Sequence, residues 1–148
     1  MNYAHIYSHL NYCNVIWANT YRNHLSPLIS IHKRIVRNIS KADFLAHTLP
    51  LYKEHNIMRI EDISELNLGL LMYKNKNSNV IPQIRAGHRY ATRQRAELRA
   101  QRHRLTLYSK SFMKRGVTVW NKLPLSIRNS PSLNIFKRKI KRFIIGKI

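Results

Sequence analysis

Residues 111–148 read SFMKRGVTVWNKLPLSIRNSPSLNIFKRKIKRFIIGKI, and the end of this stretch decides the fold. Pro131 precedes Ser132, a good N-cap, and Gly146 stands where a helix would terminate. At 100° per residue Leu133, Phe136, Ile140, Phe143 and Ile144 fall on one arc and form an apolar stripe. Arg138, Lys139, Lys141 and Arg142 cover most of the rest, with Ile135 and Ile145 falling among them. The pattern predicts a basic amphipathic helix that needs a hydrophobic partner on one side and negative charge on the other. Just before it, Phe112, Val117, Val119, Trp120, Leu123 and Ile127 recur at mixed helical spacing. Pro124 forces a turn or a second helix start, and Trp120 reads as a core anchor.

Working outward, the 148 residues suit one domain, and 44% hydrophobic content is enough to build a core. The formal net charge of +21 attracts polyanions, nucleic acid first and an anionic membrane surface second. That charge is lopsided: residues 85–148 hold 18 of the 27 Lys and Arg against one acid, Glu97, while the first 84 residues carry nine against five. A core-building half and a polyanion-facing half are expected. One cysteine, Cys13, leaves no intramolecular disulfide framework and favours an intracellular setting, nucleus or cytoplasm. No apolar run approaches the roughly 18 residues of a membrane span. The N-terminus lacks a secretory pattern and opens directly into a hydrophobic one, compatible with a chain that begins further upstream.

Three further helices are predicted. The first, residues 3–19, places Tyr3, Ile6, Leu10, Cys13, Ile16 and Trp17 on one side. His5, His9 and Cys13 are spaced for metal ligation on that side, but without a convergent second cluster packed histidines are the plainer reading. The second begins at the Ser26–Pro27 pair and runs to about Ile39, stacking Leu28, Ile31, Ile35 and Ile39 with Ile29 and Val36 beside them. Lys33, Arg34 and Arg37 lie opposite, and His32 falls on the apolar side as a structural histidine. After a loop-like stretch broken by Pro50, the third runs from about Arg59 to Lys74 and buries Ile60, Ile63, Leu66, Leu70 and Leu71. Glu61, Asp62 and Glu65 occupy its opposite arc, where the helix dipole and the chain's own cations explain them better than metal binding does.

A polar connector leads from Lys74 to Gly87 and into an arm with seven arginines in the twenty residues 85–104. It reads as irregular, with at most a short strand around Leu105–Tyr108. Two readings fit it: a solvated basic linker, or a phosphate-contacting arm in which Tyr90 and Tyr108 offer base platforms. The fold expected is therefore mostly α. It is a small helical bundle with an arginine-rich irregular arm and a basic C-terminal amphipathic helix, divided as 1–80, 81–110 and 111–148 within one domain. Four glycines leave no phosphate-cradling loop, and six acids leave little for two-metal chemistry. Neither a Gly-X-Ser-X-Gly elbow nor a His-Glu-X-X-His motif occurs, so the chain is expected to be non-catalytic on its own.

Four segments carry a resemblance: SHLNYCNVIWANTY (8–21), LSPLISIHKRIVRNIS (25–40), AHTLPLYKEHNIMRIEDISELNLGLLMYK (46–74) and RGVTVWNKLPLSIRNSPSLNIFKRKIKRF (115–143). In order and over nearly the whole chain they resemble the carboxy-terminal region of reverse transcriptases from jockey-type non-LTR retrotransposons. The most specific pieces are Trp120 to Pro124 followed by Ser132, Phe136 and Lys137, then Lys33–Arg34, and His47 with Pro50–Leu51. Ala18 stands where the family often has glycine, and His32 where it often has glutamine. The resemblance implies a thumb-like unit that follows the palm of an RNA-directed DNA polymerase. The palm's Tyr-X-Asp-Asp motif and its Mg²⁺ would lie upstream, so no cofactor is expected in this chain. A unit of this kind grips the backbone of RNA, DNA or an RNA–DNA hybrid, and the upstream palm and fingers are its other expected partners. The expected contact residues are Arg93, Arg95, Arg99, Arg102, Arg104, Lys110, Lys114 and Arg115, with Lys137, Arg138, Lys141 and Arg142 on the last helix. Two other readings stand beside this one. The last helix has the composition of a cationic membrane-surface helix, and the chain also fits an inert fragment that packs on a missing palm.

Overall fold

The computed structural model describes residues 3–76, 98 and 104–146. Among these residues every regular element is helical, so the chain is mostly α, as its periodicity predicts. It divides into two compact units, Met1–Glu65 with Lys141–Ile148, and Leu66–Ile140.

The first unit opens with a π-helical turn, Tyr3–Tyr7, and α1, Ser8–Asn11. The single helix expected over 3–19 does not form, because the chain breaks at Cys13, which takes a left-handed φ of 47° before α2, Asn14–Trp17. Polar side chains account for the break. Asn14 Nδ2 donates to the Leu10 carbonyl at 3.0 Å, and Trp17 Nε1 donates to the Tyr12 carbonyl at 2.7 Å. Both carbonyls are acceptors that a continuing helix would need. Leu10 is still buried, but Cys13 is exposed, Ile16 is 77% exposed, and Asn14 is buried in their place.

Helix α3 spans Arg22–Ser40, one turn longer at its start than the Ser26–Pro27 signal predicts. Pro27 lies inside it and forgoes the N–H bond to the Asn23 carbonyl, while its fixed φ remains helical. The buried line is also not the predicted one: Ile31 is 53% exposed and Ile39 39%, whereas His32 and Val36 are buried. The cause is α4, Thr48–Glu54, in what the sequence presents as a loop. Pro50 sits in its first turn, where the amide has no intrahelical partner to lose. Val36, Tyr52 and Ile57, with Leu51 against them, form the resulting core. Lys41 ends α3 in a left-handed cap at φ 51°, and the Ala42 N–H donates to the Arg37 carbonyl at 3.0 Å.

Helix α5, Ile60–Asn75, matches the expected third helix within a residue at each end. Its buried residues include Ile60, Asp62, Ile63, Leu66, Leu68, Met72 and Tyr73, which lie around its whole circumference and not on one stripe. The acidic arc is thereby split. Glu61 is exposed and Glu65 half-buried, but Asp62 is only 6% exposed and accepts two bonds from the Arg59 guanidinium, at 2.7 and 2.9 Å.

The second unit holds the later part of α5, then α6 (Thr106–Ser109), α7 (Phe112–Lys122), α8 (Leu125–Arg128) and the larger part of α9 (Leu133–Ile145). The short strand expected at Leu105–Tyr108 is the helical turn α6. Leu105 and Leu107 are more than 70% exposed, and with no strand among the described residues to pair against, the backbone closes locally, Tyr108 N–H donating to the Leu105 carbonyl at 3.1 Å. The remaining punctuation is as expected. Pro124 leads into α8, Ser132 Oγ accepts from the Ile135 N–H at 3.4 Å, and the Gly146 N–H donates to the Arg142 carbonyl at 2.9 Å. Phe136, fully buried, is the centre of this unit: Tyr73 stacks on it at 4.4 Å and Trp120 tilts against it at 6.0 Å. Tyr73 Oη in turn donates to the Ser130 carbonyl at 2.6 Å. Gly69 lies against buried Ile140, and a Cβ there would meet the Ile140 Cδ1, so any larger residue must displace that methyl group.

Candidate nucleic-acid interface

Two features of the described residues present positive charge with a definite geometry: the outer arc of α9 and a cavity in the first unit. On α9, Phe136 and Ile140 are fully buried and Ile144 is 2% exposed, while Leu133 and Phe143 are half-buried. The stripe is thus the packed side of the helix. Lys137, Arg138, Lys139 and Arg142 are exposed and Lys141 is half-buried. Lys139 Nζ donates to the Ser126 carbonyl at 3.1 Å, which leaves Lys137, Arg138 and Arg142 as the most open cations of the arc.

The other expected contacts divide. Arg93, Arg95, Arg99 and Arg102 lie outside the described residues, as do residues 77–97 in general. Arg104 is exposed ahead of α6, whereas Lys110, Lys114 and Arg115 are half-buried around the start of α7. Leu98, from the middle of the arginine-rich arm, is held by a residue with no role of its own in the sequence reading, within the Trp120–Pro124 stretch. Asn121 accepts from the Leu98 N–H at 3.0 Å and donates from Nδ2 to the Leu98 carbonyl at 2.8 Å. One side chain on α7 therefore satisfies both backbone groups of the arm at that point, much as a neighbouring strand would.

The cavity, about 300 Å³, was not legible in the sequence. Arg22, Ile29, His32 and Lys33 of α3 line it, together with His47 and Tyr52 from the α4 segment and Arg59 to Glu61 at the start of α5. Arg22, Ile29 and Lys33 fall within one 40° arc of α3, a spacing visible only once the helix is started at Arg22. His32 and Tyr52, each 3% exposed, form its floor, with Tyr52 Oη 3.1 Å from His32 Nδ1. Burial pushes the Tyr52 hydroxyl up to about 12, with the Glu61 charge adding to the effect, so Tyr52 keeps its proton near neutral pH. Burial also lowers the His32 pKa below its ordinary value, against a smaller upward pull from Glu61, which favours the neutral imidazole.

A folded-state pKa below the unfolded value means that, on acidification, the unfolded chain takes up the His32 proton first. Stability from this site is present above about pH 6.5 and declines as the pH falls below it. The His32→Asn variant, whose side-chain amide can replace the ring nitrogen as partner of the Tyr52 hydroxyl, is expected to lose less stability between pH 7 and pH 5 than the parent chain. An equal loss of unfolding free energy in variant and parent between pH 7 and pH 5, measured by urea unfolding, would show that His32 is not the titrating group.

Among the described residues no group of three His, Cys, Asp or Glu side chains is arranged to hold a metal ion. His5, His9 and Cys13 are all exposed, and the break at Cys13 removes the helical register that aligned them. Nor is any described helix long and apolar enough to cross a membrane. No family model, no curated protein and no solved structure gives a match to the chain.

Proposed function

We propose that the chain is a helical nucleic-acid-binding unit that grips the sugar–phosphate backbone of RNA, DNA or an RNA–DNA hybrid without reading sequence. The observation that carries this is α9, which commits its apolar stripe to the protein interior and turns Lys137, Arg138 and Arg142 outward. A row of exposed cations on a fixed helix, in a chain of net charge +21, suits phosphate contact, which positions a strand but does not specify it. The same packing weighs against the membrane-surface reading, because an interfacial helix must bury its apolar face in lipid and here that face is occupied. Strong partition onto anionic vesicles with no shift of RNA would reverse the ranking.

The origin proposed is the region after the palm of a jockey-type non-LTR retrotransposon reverse transcriptase. Support for it is the sequence likeness around Trp120–Pro124 and Ser132–Lys137. In this reading the chain holds the hybrid while the upstream palm, with its Mg²⁺, does the chemistry, and the chain acts in the nucleus or cytoplasm. The test of the binding role is its salt dependence: binding to hybrids of unrelated sequence should be similar and should weaken steeply as salt rises. Affinity that is unchanged between low and physiological salt would overturn it.

A further inference from the structure

We infer that the cavity of the first unit is a nucleotide pocket, taking a phosphate on Arg22 and Lys33 and a nucleoside between Ile29, Ile60 and the His32–Tyr52 floor. Its 300 Å³ is at the small end of ligand sites, sized for one nucleotide and not for a duplex. The charges select the anion. Arg59 is neutralised by the bidentate Asp62, whereas Arg22 and Lys33 are exposed and form no ion pair among the described residues. Two unpaired cations, one with a planar fork, suit a phosphate monoester or diester. Glu61, exposed on the same cavity, opposes a bare polyvalent anion but accepts hydrogen bonds from a ribose hydroxyl or an exocyclic amine.

The floor adds a buried imidazole. His32 Nδ1 is engaged by Tyr52, while Nε2 has no partner among the described residues. Nor is it sealed off, since the buried unpartnered side-chain atoms among the described residues are Asn14 Oδ1 and Ser64 Oγ. His32 lines the cavity, so its imidazole can hydrogen-bond a base edge there. Apolar walls, one buried imidazole, one carboxylate and two free cations form a set that inorganic phosphate would leave half unused. A fatty acid would strand the imidazole and the carboxylate. The pocket does not depend on the backbone-gripping role, which bears only on whether the nucleotide arrives free or as an unstacked unit of a bound strand.

The experiment titrates isotope-labelled full-length chain with 5′-AMP and 5′-GMP, with adenosine and inorganic phosphate as controls. The His32 imidazole and the Ile29 and Ile60 methyl resonances are followed. Saturable shifts are expected with the mononucleotides, and binding about tenfold or more weaker for each half alone. The Arg22→Ala/Lys33→Ala variant, which changes only exposed side chains, should lose about the same factor or more with its spectrum otherwise intact. Absent shifts at millimolar nucleotide, equal response to phosphate alone, or undiminished binding by the double variant would each overturn the assignment. A 5′-phosphorylated tetranucleotide that displaces the mononucleotide identifies a strand as the source, and failure to displace it identifies the free nucleotide. Replacing Lys137, Arg138 and Arg142 by alanine should leave mononucleotide binding untouched. If long nucleic acid fails to bind while mononucleotide still saturates the pocket, the backbone-gripping role falls and the pocket stands.

Discussion

Replacing Lys137, Arg138 and Arg142 together by alanine should weaken binding to an RNA–DNA hybrid by one to two orders of magnitude at low salt, about 1 kcal/mol or less per charge lost. The slope of log K against log salt should become shallower by about 0.7–0.9 for each contact removed. The three side chains are exposed on the outer arc of α9, and alanine is the best helix former, so the fold should survive the change. Thermal unfolding of the variant should overlay that of the parent. A variant that binds like the parent at every salt concentration would show that the arc faces solvent alone. An equivalent change at Lys139 should do less, because its ammonium already donates to the Ser126 carbonyl.

Phe136→Ala should cost about 3–5 kcal/mol of stability, the range for truncating a fully buried aromatic ring. Against a typical total of about 5–15 kcal/mol, that removes a large part of the fold's margin. The reason is local. The ring is fully buried, stacked by Tyr73 and flanked by Trp120, so the cavity left behind is lined by large side chains that cannot collapse into it. Phe112→Ala, at a position 44% exposed, should cost less than about 1 kcal/mol. Urea unfolding of the two variants separates them. A loss under about 1 kcal/mol for Phe136→Ala would remove it from the centre of the second unit.

What the sequence disclosed follows from how local each cause is. Both ends of α9 and the helix start after Pro124 depend on caps and prolines within a few residues, nearly all of α5 follows from its own apolar spacing, and the structure places them as read. Pro50 and Pro27 misled for one reason. A proline reads as a boundary, yet in a first turn it costs nothing and a few residues further in it costs one bond. Missing α4 rotated the predicted buried face of α3 onto Ile31 and Ile39, and starting α3 late hid Arg22 from the arc it shares with Lys33. The break at Cys13 rests on two side chains capturing backbone carbonyls, which hydrophobic spacing does not register. The basic arc of α9 was legible because charge and period coincide on one helix. The cavity joins α3, the α4 segment and the start of α5, and no spacing within any one of them reveals it.

The claim that the chain grips a phosphate backbone is tested most directly by its affinity for one RNA–DNA hybrid between about 50 and 200 mM salt. A straight line in log K against log salt is predicted, with at least a hundredfold loss across that range if five or more phosphates are neutralised. Affinity that stays level over the same range would contradict the account.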